Sequence, residues 1–239
     1  NTTALRMAGL DAANPVNPPG GTIERDASGR PTGILKDAAI SLVSRHVPEP
    51  SVDEKRAATR AAMREANRFG VTAVNTMSEW DDVPALRRVH DERSDTLRVV
   101  VFVQEPDWGP FVERVKSFGV HDDRLRIAGF KAYMDGSLGS RTAYMHEPFA
   151  DQPGNRGLMA SGPETPARLA ANFRAAEAAG LQCAVHAIGD EGNHVLLDLY
   201  SRLARGQRPR IEHAQHTRRR AVEVVADGVD ALDHAASDR

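Results

Sequence analysis

Leu181-Gln-Cys-Ala-Val-His-Ala-Ile188 is a short, nearly unbroken apolar run with a single imidazole late in it. A helical pattern from about Glu191 to Ala204 follows, and then a second such run, Arg210-Ile-Glu-His-Ala-Gln215, again with an imidazole, His213, near its end. A strand apolar on both faces has to be covered on both, and a helix between two such strands is the crossover that a parallel pair requires. The same alternation extends upstream. Val71 to Met77 reads as a strand, Pro84 to Glu92 as a helix, Leu97 to Val103 as a strand and Gly109 to Phe118 as a helix. Arg126-Ile-Ala-Gly-Phe-Lys-Ala-Tyr-Met-Asp135 reads as the next strand, with Lys131 inside it. A long Gly-rich connection leads to a helix from Thr165 to Gly180, where Pro166 suits the first turn. Beyond His213 the pattern predicts a helix from Thr217 to Ala226 and a last strand-like run, Gly228 to Leu232.

This is an α/β pattern of about six strand and helix alternations. Their spacing is close to the roughly 31 residues per unit obtained when about 250 residues make eight units. The expected fold is a (β/α)8 TIM-barrel type, incomplete in this chain; an open doubly wound sheet is the competing arrangement. Ahead of it lie a short helix over Asn1 to Leu10, a Pro/Gly segment, and a β-hairpin insertion formed by Thr22 to Asp26 and Pro31 to Lys36. A helix from Asp37 to His46 is expected next, and Ser51-Val-Asp-Glu54 has the spacing of a capping box for a further helix that Gly70 would end. The expected domains are residues 1–50, the hairpin and helical segment, and 51–239, the partial barrel.

With 239 residues and 41% hydrophobic content the chain can bury a substantial core. A formal charge of -2 gives no field that favours nucleic acid or an anionic membrane. No stretch approaches the roughly 18 apolar residues of a membrane span, and Asn1-Thr-Thr-Ala-Leu-Arg has no signal-peptide pattern, so a cytoplasmic location is expected. Cys183, the single cysteine, excludes an intrachain disulfide and reads as a small buried hydrophobe. The chain opens on Asn1 rather than Met and stops just after a strand-like run, so both ends read as cut from something longer. The expected partner is a small molecule, with a homo-oligomer compatible.

In a βα barrel, residues late in separate strands converge on one mouth, and Lys131, His186 and His213 fit that arrangement. Neutral imidazole ligates zinc and similar divalent ions, whereas a protonated lysine cannot bind a cation. Reaction of the unprotonated amine with carbon dioxide would give a carbamate with two anionic oxygens. A cation so held would acidify water and polarise a carbonyl, the chemistry of hydrolysis at neutral pH. The bland reading of each histidine alone is a hydrogen-bonded core residue. The competing functional reading of Lys131 is a Schiff-base lysine activated by desolvation.

Four segments carry a resemblance: Phe130 to Ala143 (Phe-Lys-Ala-Tyr-Met-Asp-Gly-Ser-Leu-Gly-Ser-Arg-Thr-Ala), Pro153-Gly-Asn-Arg-Gly157, Ala184-Val-His-Ala-Ile-Gly-Asp190 and Arg210 to Gln215. With Pro19 to Lys36, they make the chain similar, nearly end to end, to the amidohydrolase superfamily of metal-dependent hydrolases, in the branch that includes N-substituted formamide deformylase. The resemblance implies a hydrolase of an amide-type, non-peptide carbon–nitrogen bond acting through metal-activated water. It makes Lys131, carboxylated, the metal ligand of the fourth strand, and His186 and His213 those of the fifth and sixth, with a divalent ion such as zinc as cofactor. Asp135, Gly136, Ser137, Gly139 and Arg141 would belong to a loop over the substrate; no catalytic acid or base is assigned.

The departures are specific. The family takes two histidines, one residue apart, from its first strand, and the nine histidines here include no such pair. Asp238 falls about one βα unit after His213, too early for the aspartate of an eighth strand, and Asp230 and Asp233 put charge in the last run. The expectation is therefore a partial site with little activity on its own, the alternative being a non-catalytic remnant. Glu212 is expected on the strand face opposite His213, in a structural ion pair; Asp190 is expected to cap the helix that follows it.

Overall fold

The computed structural model describes residues 1–18, 21–104, 108–119, 122–203, 208–217 and 230–231, which fall into two compact units, Asn1–Ser51 and Val52–Arg239.

In the first unit, α1 (Thr2–Met7) is capped by Asn1, whose side chain accepts from the Ala4 amide at 3.0 Å. Strands β1 (Gly21–Arg25) and β2 (Pro31–Asp37) form the expected antiparallel hairpin. Its turn is held by Asp26, which accepts from the amides of Ser28 and Arg30. These bonds, that of the Ser28 hydroxyl foremost, hold the Asp26 carboxyl below its usual range. The helix expected over Asp37–His46 shrinks to one turn, α2 (Ser41–Ser44), because β2 continues through Asp37. Leu5, Leu10, Ile23 and Ala39 make a small core.

The second unit runs α3 (Val52–Arg68), β3 (Ala73–Glu79), α4 (Val83–Asp91), β4 (Arg98–Gln104), α5 (Trp108–Phe118), β5 (Leu125–Tyr133), β6 (Ala160–Pro163), α6 (Thr165–Ala178), β7 (Gln182–Ala187), α7 (Asp190–Leu203), β8 (Arg210–His213) and β9 (Asp230–Ala231). Gly70, at φ +75°, follows α3 as the sequence leads one to expect. The sheet order is β3-β4-β5-β7-β8-β9 and every pair is parallel. Each sheet strand lies beside the one before it, so the order never reverses. A doubly wound sheet must reverse, and the arrangement is accordingly a barrel-type α/β half-barrel. The two-residue β9 lies in the expected last run; the helix expected at 217–226, together with Asp233 and Asp238, lies outside the described residues but for Thr217.

The two faces of the sheet differ in chemistry. Val99, Val101, Val103, Ile127, Phe130, Cys183, Val185 and Ile211 pack with Phe111, Phe173, Leu196 and Tyr200 in one apolar core on the helix side. Cys183 is thus a core hydrophobe, its thiol pushed well up by burial. Ile127 and Phe130 both belong to this core although three positions apart. Strict alternation would put them on opposite faces. The register explains it: Val101 pairs with Ile127, yet the next residue, Phe102, pairs with Gly129. Ala128 is the extra residue of a β-bulge, and it advances the phase of β5 by one. Phe130 therefore faces the helices and Lys131 the inside of the curve.

At the opposite end of the strands, His90 of α4 sits between two strand entries, with Nδ1 3.1 Å from Asp95 and Nε2 3.2 Å from Asp122. His90→Ala removes the nearest partner of the buried Asp95. It is expected to lower unfolding stability by about 1–3 kcal/mol, which a urea titration would read as a lower midpoint at unchanged slope.

Candidate metal centre on the inner face

Register across the inner face groups the polar residues in layers. Gln104 pairs with Lys131, Lys131 with Ala184 and Ala184 with Arg210; one step further along, Tyr133 pairs with His186 and His186 with Glu212. Paired residues of parallel strands point the same way. Lys131, Tyr133, His186 and Glu212 therefore share one face. Glu212 was expected on the other. Its actual placement follows from counting alternation from His186 across the pair rather than from His213 along the strand.

His213 is the residue that departs from the pattern. Ile211, two positions earlier, packs against the helices, and a regular strand would send His213 the same way. Instead His213 has φ +79° and Ala214 φ +45°, two consecutive residues in the left-handed region. The turn they make brings the His213 ring to 4.7 Å from the His186 ring, edge to face. Such backbone costs about 1–3 kcal/mol per residue and persists only where the surroundings enforce it.

Lys131 is 6% exposed. Its ammonium donates to the Ala132 carbonyl at 3.0 Å and lies 3.7 Å from the centre of the Tyr133 ring. Burial, opposed only by the Glu212 charge, brings its pKa down to about 8. The Tyr133 ring in turn lies 5.5 Å from His186, and its hydroxyl donates to Gln104 Oε1. His186 Nε2 is 2.8 Å from the Gly136 carbonyl oxygen. A carbonyl only accepts, so Nε2 carries the proton and Nδ1 the lone pair. Burial, with the positive charge of Lys131, lowers the His186 pKa and favours the neutral ring that ligation needs.

Arg210 and Glu212 extend the same face. The Arg210 guanidinium lies over the Phe102 ring at 4.9 Å and 3.0 Å from Glu212 Oε1, an ion pair out of line for a hydrogen bond, and among the described residues that oxygen has no hydrogen-bond partner. Sequence reasoning overlooked Tyr133, Gln104 and Arg210. The usable signal was the phase of Lys131, since residues two apart along these strands, and level across them, join it.

The loop residues separate in role. The Asp135 carboxylate is wholly enclosed and accepts from the amides of Tyr144 (2.9 Å), Ile188 (3.0 Å) and Gly189 (2.7 Å). Burial pushes its pKa up against the pull of those amides and of His213. The Arg141 guanidinium grips both oxygens of Asp151, and its Nη1 donates to the Leu138 carbonyl, so it is committed within the loop. Ser137 Oγ is 2.9 Å from Ser140 Oγ. Among the described residues nothing lies within 4 Å of a Cβ placed on Gly139, whereas one on Gly136 would meet Thr142 Oγ1 at 2.0 Å. Asp190 opens α7 and also accepts from the His146 amide at 2.8 Å.

Two imidazoles and an amine able to shed its proton are a chemically suitable donor set for a divalent ion. Among the described residues no three His, Cys, Asp or Glu side chains group as a metal cage. On the same face, Lys131 is the candidate for a third donor beside the two imidazoles.

Residues 1–229 match the model of the Amidohydrolase family. The chain is 39% identical over 233 residues to the protein LONG AFTER FAR-RED 3 of Arabidopsis thaliana, covering 90% of this chain and 39% of that one. It is 30% identical over 241 residues to the putative amidohydrolase YtcJ of Bacillus subtilis (strain 168), covering 98% and 44%. Among solved structures it resembles an uncharacterized metal-dependent hydrolase from Pyrococcus horikoshii OT3, with TM-score 0.75 and 27% identity over 97% of this chain and 45% of that one. A second, from Pyrococcus furiosus, has TM-score 0.75 at 24% identity, over 98% and 47%, a likeness of fold alone. The chain thus spans less than half the length of these relatives. Among the described residues no helix is long and apolar enough to cross a membrane.

Proposed function

Since this chain belongs to the amidohydrolase family, we propose that its inner face is part of a metal-dependent hydrolase site, with Lys131, His186 and His213 as ligands of a divalent ion, zinc by the nature of the donors. The observation that carries the reading is the left-handed turn at His213, which brings that ring beside His186 on the face that already holds a desolvated lysine. A cation at this place would supply Lewis acidity for attack of water on an amide-type, non-peptide carbon–nitrogen bond of a small molecule.

The protein's own residues do the rest. Burial near pKa 8 leaves a useful fraction of Lys131 as free amine at neutral pH, the form that reacts with carbon dioxide. The Gly136 carbonyl fixes the His186 tautomer, as backbone acceptors do for metal-binding histidines. The loop of Gly136 and Ser137 forms the substrate side, with Arg141 holding its shape through Asp151 and the Leu138 carbonyl.

Equilibrium dialysis of the chain against zinc is expected to retain the metal, and His186→Ala and His213→Ala each to weaken retention at least about tenfold. Zinc held equally well without both histidines would overturn the assignment. No binding by the intact chain would favour a non-catalytic remnant, and borohydride trapping of a carbonyl compound on Lys131 would favour the Schiff-base reading.

A further inference from the structure

We infer that Asp135 is a positioning residue, one that staples the turn after β7 to the connection after β5 and thereby fixes the ring of His186. The inference rests on the reading of His186 as a ligand.

Asp135 lies just past the end of β5, where it bridges to Met159. Its side chain is 0% exposed and its oxygens are 2.7–3.0 Å from three backbone nitrogens drawn from two distant segments, Tyr144 on one and Ile188 and Gly189 on the other. The two amides on the β7 side follow His186 by two and three positions. Its neighbour Gly136 supplies the carbonyl that receives the His186 Nε2 proton, while Asp135 Oδ1 itself stands 3.6 Å from that nitrogen. The ring is thus bracketed by consecutive residues of one strand end, and its own strand end is tied to the same place.

The surrounding backbone is shaped for this contact. The Gly192 amide donates to the Tyr144 carbonyl at 3.0 Å. A Cβ on Gly192 would stand 2.7 Å from Asp135 Oδ2, and one on Gly189 2.0 Å from the Tyr144 oxygen. Enclosure leaves the carboxylate no open side for a substrate. Its work is to set distances, and partners that orient metal ligands in this way typically contribute 10–100-fold in metal affinity.

Asp135→Asn keeps the size of the group but sets an amide donor against backbone donors. In the folded variant, calorimetric zinc affinity is expected to fall 10–100-fold, and the nitrogen-15 signals of the His186 ring to leave the pattern of a single Nε2–H tautomer. Unchanged affinity and unchanged ring signals would overturn the inference, leaving Asp135 a purely structural clamp. If the wild-type chain takes up no zinc, the ligand reading fails by itself, while the ring signals of wild type and variant still decide the positioning role. Should the variant not fold, hydrogen exchange in the wild-type chain decides. The amides of Tyr144, Ile188 and Gly189 are expected to be protected together, and free exchange at any of them would sink the proposal.

Discussion

Gly129→Ala is expected to destabilise the second unit by on the order of 3 kcal/mol or more, which urea or thermal unfolding would register as a large loss, or as failure to fold. A Cβ there would stand 1.6 Å from the Gln182 carbonyl oxygen and 2.8 Å from the Gln182 nitrogen, both backbone atoms of the adjacent strand. A flexible side chain could move aside; a ladder between two central strands cannot. The consequence reaches beyond stability, because Gly129 is the first residue after the bulge and Lys131 follows two positions later on the same face. A variant that survived by removing the bulge would shift β5 by one position and turn Lys131 toward the helices. Such a protein would lose the zinc affinity proposed for this face while keeping helical content. Full wild-type stability of Gly129→Ala would contradict the close approach of β5 and β7.

Lys131→Met has the second large effect, and its sign is unusual for a buried position. A lysine pKa lowered from 10.5 to about 8 means that the folded chain disfavours the charged form. Below pH 8 the lysine is charged in both the folded and unfolded states, and the penalty of about 3 kcal/mol is fully present. As pH rises from 8 to 10.5 the folded state sheds its proton first, so the penalty is relieved over that window. Methionine, of similar length and without charge, is expected to raise stability at pH 7 by about 1–3 kcal/mol, less whatever Glu212 loses with its partner. The advantage should shrink by pH 10. The same variant is expected to lose any carbamate signal with carbon-13 bicarbonate and to bind zinc at least about tenfold more weakly. A Met variant less stable than wild type at pH 7 would show that the ammonium is stabilising where it sits. Gain of stability on loss of a functional group is the usual mark of a site built at the expense of the fold.

Much of the architecture was legible because period, breakers and spacing agree. The apolar runs at Val71–Met77, Leu97–Val103 and Leu181–Ile188 all overlap strands, and Pro166 and Gly70 mark helix ends where expected. The helix expected over Asp37–His46 was cut back to the single turn Ser41–Ser44, its first residue being taken by the hairpin pairing of Asp37 with Gly21. The proposed ligands were legible as types and positions, but not as directions. Facing depends on phase, and phase was altered twice, at Ala128 by an inserted residue and at His213 by a left-handed one. The first alteration leaves a trace in the spacing of Leu125, Ile127 and Phe130, two positions and then three, with a glycine between. The second leaves only a faint one, since histidine visits positive φ more often than most residues but alanine does not, and the pair His213-Ala214 does not announce two left-handed residues in a row. Glu212 was placed on the wrong face for that reason.

The left-handed step at His213 and Ala214 also bears on transplanting this donor set. Copying lysine and two histidines onto ideal βα staves would reproduce the composition and misdirect one ring, which would graze the outer helices. A designer would have to import the backbone kink as well, together with enough packing around it to resist straightening. In that sense the last two residues of the graft, and not the three side chains, carry the specification.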